Sequence, residues 1–232
     1  MRRTRTATIL LAMLVAGSAA AFLRAEQLKL ERSPVAAPDI QKFFSATCTP
    51  GVRPCRASHR AAITFKLREP ATAALAVVDG SGRVVRSLSG PERHPKGFVR
   101  TSWDGRTGAG RLAPDGTYHL RVDLVSLDRT ITVPDPLNLD NTPPVITVTS
   151  RPGAVPVRYR LSERARVYAT ATLANGTPEP PRHVFRGRRG AVRFRRVHRL
   201  PKGASITLDL VAVDPAGNRS RIVRLSGLEM PA

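Results

Sequence analysis

Beyond about residue 40, apolar and polar residues alternate with a period of two. Ile63, Phe65 and Leu67 alternate with Thr64, Lys66 and Arg68. Leu75 and Val77 lead to Asp79, and Val84 and Val85 follow the turn Asp79-Gly80-Ser81-Gly82. A two-residue period puts one face of an extended chain in a core and the other in water, so these segments predict half-buried strands joined by tight turns. Further strands are expected at Phe98–Trp103, Thr117–Val125 and Arg129–Val133, with turn chemistry at Asp104-Gly105, Gly108–Gly110 and Asp115-Gly116. No stretch after Leu30 holds a 3.6-residue period between caps, so the fold class is all-β.

The alternation stops at Leu137–Pro144, where Asn138, Asp140, Asn141 and two prolines predict a stiff extended connection, and then restarts. Tyr159-Arg160-Leu161 repeats Phe65-Lys66-Leu67 at a spacing of 94, Val192-Arg193 repeats Val99-Arg100 at 93, and Leu208-Asp209-Leu210 echoes Val122-Asp123-Leu124 at 86. An internal repeat of about 90 residues built from short strands predicts two tandem Ig-like β-sandwiches, at residues 43–139 and 140–232. Each is near the size at which one core just suffices.

The amino terminus has a different pattern. Arg2, Arg3 and Arg5 precede an apolar run from Ala7 to Leu23 that turns to small residues at Ala16–Ala21 and is closed by Arg24. Residues 1–24 read as a hydrophobic helix for export, followed by a linker at 25–42. Two forms stay open. Ala19 and Ala21 make an A-x-A arrangement that would release a chain starting at Phe22. The apolar run through Leu23 suits an uncleaved anchor, although 17 helical residues reach only about 25 Å of a roughly 30 Å hydrocarbon core. Either form places the body of the chain outside the cytoplasm, with the amino-terminal arginines inside. In that oxidising setting Cys48 and Cys55, in the stretch CTPGVRPC, are expected to form a local disulfide. Zinc with His59 would lack a fourth ligand.

Charge changes the picture more than composition does. The 41% hydrophobic content is ordinary for a globular chain, but 38 Lys and Arg stand against 17 Asp and Glu, a formal charge of +21. Such an imbalance points to an anionic partner or surface and is silent on fold.

The run Ile63-x-Phe65-x-Leu67, Val77-Val78-Asp79, Gly82-Arg83-Val84-Val85-Arg86, Gly97, Trp103-Asp104-Gly105-Arg106, Gly110 and Pro114-Asp115-Gly116-Thr117-Tyr118 resembles the Ig-like domain of flagellar hook-capping proteins (the FlgD Ig-like type), which also occurs in bacterial surface and secreted proteins. The second unit is similar to generic bacterial Ig-like modules, through Leu139-Asp140-Asn141-Thr142-Pro143-Pro144 and Val213-Asp214-Pro215-Ala216-Gly217-Asn218. The resemblance implies a sandwich and no hook cap, because this chain opens with a general export segment. Its signature residues Trp103, Asp104, Gly105, Gly110, Gly116 and Tyr118 have a structural reading: Trp103 plugs the core, Asp104-Gly105 turns the chain, and Tyr118 packs its ring while its hydroxyl reaches backbone. Stacking of a sugar on Trp103 would need an exposed ring.

Catalytic patterns are missing. His59, His94, His119, His183 and His198 are scattered without metal-ligand spacing, and no G-x-S-x-G frame or phosphate loop occurs. The chain is therefore expected not to be an enzyme and to need no cofactor. Asp140, Asn141, Asp214 and Asn218 resemble the residues of extracellular calcium joints, but single scattered acids suit Asx turns better than an ion needing six to eight oxygens, so no metal is expected. The unusual feature is Arg182–Arg199, which carries eight arginines and no acid. Of these Arg186, Arg188, Arg189, Arg193, Arg195 and Arg196 are candidates for anion binding through bidentate guanidinium contacts; the bland alternative is a charged edge strand that resists aggregation. The expectation is a non-catalytic cell-envelope or secreted spacer and interaction module, bound to an acidic wall polymer, an anionic membrane surface or an acidic protein. The alternatives are a nucleic-acid binder, for which the stripe offers Phe194 as a stacking ring but no platform of several rings, and an accessory subunit of an envelope enzyme.

Overall fold

The computed structural model describes residues 32–47, 59–173, 182–192 and 205–229, together with Met13, Gly17 and Ser18 of the leader. The hydrophobic helix expected over residues 1–24 lies outside the described residues except for those three, which are helical. Among the described residues no helix is long and apolar enough to cross a membrane.

The chain is all-β and is organised around two separate cores. The first unit has two layers. One holds β1 (Val35–Ile40), β3 (Ala61–Leu67) and β6 (Gly97–Trp103) in the order β1-β3-β6. The other holds β2 (Phe43–Phe44), β4 (Ala71–Asp79), β5 (Val84–His94), β7 (Gly116–Leu124), β8 (Arg129–Thr132) and β9 (Leu137–Leu139), in the order β2-β9-β7-β4-β5 with β8 against β7. Period-two alternation makes the core: Ile63, Phe65 and Leu67 are fully buried, and Ala73, Leu75 and Val77 meet them from the facing layer. Each large side chain buried this way contributes about 1.5–3 kcal/mol.

Two sequence expectations shift here. The span read as a linker contains β1, which pairs with β3 from Val35↔Leu67 to Ile40↔Ile63. The span read as a stiff connection begins with β9, which pairs with β7 through Tyr118↔Leu137 and runs parallel to β2. Both segments carry too few alternating residues to show a period, and their pairing comes from long-range partners.

The second unit comprises β10 (Ile146–Val148), β11 (Val157–Leu173), β12 (Arg182–Val192), β13 (Ser205–Val213) and β14 (Val223–Glu229). It repeats the first with its breaks healed. Leu161, Glu163 and Ala165 stand 94 residues after Leu67, Glu69 and Ala71, so β11 covers the ground of β3 and β4 together. Pro70 interrupts the first unit at the corner, whereas Arg164 stands there in the second and the strand runs on. Likewise β12 pairs with both halves of β11, as β6 and β5 pair with β3 and β4 across the interruption at Pro95.

Register corrects the repeat by two residues. Ala73 pairs with Leu124 and Val167 with Ala212, so the spacing from β7 to β13 is 88 where the sequence match gave 86. In the same way Phe65 pairs with Val99 but Tyr159 pairs with Gly190, so Val192 answers to Thr101. A slip of two keeps every side chain on its face, which is why the sequence pattern tolerated it.

Candidate functional site

The residues of the family resemblance form a structural cluster. Trp103 has no exposed surface; its Nε1 donates to the Arg106 carbonyl at 2.9 Å, and its ring packs edge-on against Tyr118 at 4.8 Å and Phe44 at 5.5 Å. Such a ring cannot stack a sugar. The Tyr118 hydroxyl donates to the Pro114 carbonyl at 2.6 Å, and burial pushes its pKa up. Gly105 has φ +71°, and a Cβ there would lie 2.7 Å from the Ala46 side chain, so both conformation and space require glycine. Gly110 also has positive φ, Asp104 caps the turn through the Arg106 N–H at 3.1 Å, and Gly116 opens β7. Trp103 and Tyr118 are buried and the glycines carry no side chain, which leaves the turn-capping carboxylate of Asp104 as the one polar group of the cluster that is partly exposed.

The arginine stripe divides. Cys48, Cys55, Arg193, Arg195 and Arg196 lie outside the described residues. Arg186 belongs to β12 as the register partner of Arg166. Arg188 and Arg189 are exposed on β12, which pairs only with β11 among the described strands. The structure adds four arginines that the stripe did not include. Val157, Tyr159 and Leu161 point into the core, so Arg158 and Arg160 face out; Ala165 and Val167 do the same for Arg164 and Arg166. Arg160 stands directly opposite Arg189. Between Arg160↔Arg189 and Ala165↔Gly187 the ladder bulges, and the two sides of that bulge aim their arginines differently. Arg158, Arg160 and Arg189 share one open face, whereas Arg164, Arg166 and Arg188 line a groove of about 750 Å³ at the joint between the units.

The floor of that groove is acidic. Carboxylate oxygens of Asp140, Glu163 and Asp214 lie within 4.8 Å of one another. Asp140 and Asp214 are members of the joint read from sequence; Glu163, at the corner of β11, was missed there, although its counterpart Glu69 occupies the same corner of the first unit. Asp214 is almost wholly buried and accepts from the Gly217 N–H at 2.7 Å, the Asn218 N–H at 3.0 Å and Asn218 Nδ2 at 2.7 Å, an Asx-type turn. Asn218 Nδ2 also donates to the Asp140 carbonyl at 2.8 Å, and Asp115 accepts from the Asn141 N–H at 2.8 Å and from Thr142 Oγ1. The connecting peptide is thus tied to both units. Burial raises the pKa of Glu163 to about 7, with Asp140 and Asp214 adding to the effect and Arg188 opposing it. Burial also raises Asp214 and Asp140, each opposed by hydrogen bonds to its own turn. These three carboxylates are the group among the described residues able to hold a cation, and they supply three of the six to eight oxygen ligands that calcium takes.

Comparison with known proteins agrees with the first unit. The family model of the FlgD Ig-like domain matches residues 53–128. No curated protein matches the chain. Among solved structures, the fibronectin(III)-like modules of Clostridium thermocellum CbhA are 13% identical over 84% of this chain and 94% of theirs, with a TM-score of 0.37. The BSP domain of a biofilm associated protein is 15% identical over 86% of this chain and 30% of its own, at 0.30. Bovine butyrophilin is 10% identical over 75% of this chain and 92% of its own, at 0.29.

Proposed function

We propose that the protein is an exported, non-catalytic module that spaces and binds, held outside the cytoplasm by its leader, with the second unit contacting an anionic envelope partner. An Ig-like unit serves as a spacer or interaction module, and the residues that mark the family here fill a core and shape turns. The observation that carries the anionic partner is the six exposed arginines of β11 and β12, none of which makes an ion pair among the described residues. Guanidinium groups on a rigid sheet are suited to bidentate contact with carboxylate, sulfate or phosphate. The joint, hydrogen-bonded on both sides, ties that sheet to the first unit.

The test is retention of the purified protein on dextran sulfate beads against uncharged dextran beads at low and high salt. Retention on the sulfated matrix alone, released by salt, is the expected result. No retention at low salt would leave the aggregation-guard reading of the arginines in its place.

A further inference from the structure

The open face of the second unit carries a row of like charges that the fold itself does not need. Arg160 and Arg189 are direct cross-strand partners, and side chains of such pairs project to the same side with Cβ atoms about 5 Å apart. Arg158 lies two residues along the same strand, about 7 Å away on the same face. Their neighbours in the ladder are neutral: Thr147 opposes Arg160 from β10, and Ala191 opposes Arg158 from β12. The remainder of the chain has few acids to offer them. Of the 17 acidic residues only Glu26, Glu31, Glu179 and Glu229 have side chains outside the described residues. Like charges set opposite each other destabilise a sheet, so this arrangement opposes folding unless an anion lies across it.

Its shape restricts the anion. The three arginines occupy exposed positions along one strand pair, so a small ion meets one of them while an extended chain meets all three. A nucleic acid strand would also want aromatic platforms, and the ring between Arg158 and Arg160, Tyr159, is turned into the core at 2% exposure. A membrane surface would want apolar side chains to bury, and Thr147 and Ala191 provide none of size. The second set of arginines differs, because Arg164, Arg166 and Arg188 share their groove with Asp140, Glu163 and Asp214, which offset their charge.

We infer that Arg158, Arg160 and Arg189 form a docking row for a linear acidic polysaccharide lying across β11 and β12. The inference rests on the anion-binding reading above and gives it a face and a class of partner. Full-length protein is titrated with polygalacturonate, with galacturonate monomer and with oligothymidylate of matched charge, at several salt concentrations. Three chains are compared: the natural one, R158S/R160S/R189S, and R93S/R100S/R111S, which removes the same charge from exposed positions of the first unit. The first variant should bind the polymer about tenfold or more weakly with a shallower salt dependence, and the control should stay within about twofold. The monomer should bind at least about a hundredfold more weakly than the polymer. Equal losses in both variants would show that net charge alone is at work and would overturn the row while leaving anion binding intact. Tighter binding of oligothymidylate than of polygalacturonate would overturn the choice of polysaccharide. Absence of binding to every probe, with dextran sulfate retention also absent, would bring down the anion-binding reading itself.

Discussion

The two units share a plan and use it differently. In the first, prolines at the corners split the strands between two layers, and large side chains fill the gap: Leu75 and Val77 of β4, with Trp103, Tyr118 and Phe44 packed edge-on in the same core. In the second the strands run unbroken around the corner, and the positions answering to Leu75 and Val77 are Ala169 and Ala171. Alanine buries far less apolar area than leucine, so these two positions contribute less free energy to the second core than to the first. Its outer surface is where arginines gather. The difference teaches that family signature and surface chemistry sit on different halves of the chain: the recognisable unit is the scaffold, and the less recognisable one carries the charge.

The largest expected effect breaks the first half of that contrast. Trp103→Ala should cost about 3–5 kcal/mol, with calorimetry showing loss of the first unit's transition while the second unit's melt stays in place. A single merged transition, destabilised as a whole, would mean the units do not fold as separate cores. Next is the tie between them. Asn218→Ala removes the donor shared by Asp214 and the Asp140 carbonyl and leaves a buried carboxylate short of a partner, for about 1–3 kcal/mol in denaturant melts of the second unit.

A smaller effect sharpens the reading of the joint through pH. Glu163 titrates near 7 in the folded protein against an ordinary 4.5, so the folded state holds its proton more tightly than the unfolded chain does. The stability this gives is fully present below about pH 4.5 and is lost as pH rises through about 7. Melting of the second unit should therefore be higher at pH 5 than at pH 8, and Glu163→Gln should flatten that difference; an unchanged profile in the variant would assign the dependence elsewhere. Smallest of all, Arg160→Thr should raise stability by a few tenths of a kcal/mol by relieving the opposition with Arg189, read as a slight rise in melting temperature.

Much of the architecture was legible because alternation is local. Ile63-x-Phe65-x-Leu67 announces its strand and face without help, Tyr159-x-Leu161 repeats it, and Trp103, Gly105 and Tyr118 announce a core and its turns. Short pairings were not legible. β1, β2 and β9 are fixed by partners up to about a hundred residues away, and nothing in Val35–Ile40 or Leu137–Leu139 alone tells strand from linker. The arginine site was half visible. Arg188 and Arg189 stood out as part of a dense run, but Arg158 and Arg160 were hidden by the very alternation that identified their strand. Glu163 was invisible for a related reason, since only the corner of β11 brings it to Asp140 and Asp214.

The central claim, a scaffold unit followed by a charged unit that meets a polyanion on β11 and β12, is tested most directly by hydrogen–deuterium exchange of the full-length protein with and without polygalacturonate. The account predicts slowed exchange in residues 157–173 and 182–192 and unchanged exchange in β3, β4 and β7 of the first unit. Protection centred on the first unit, or spread evenly over both, would contradict it.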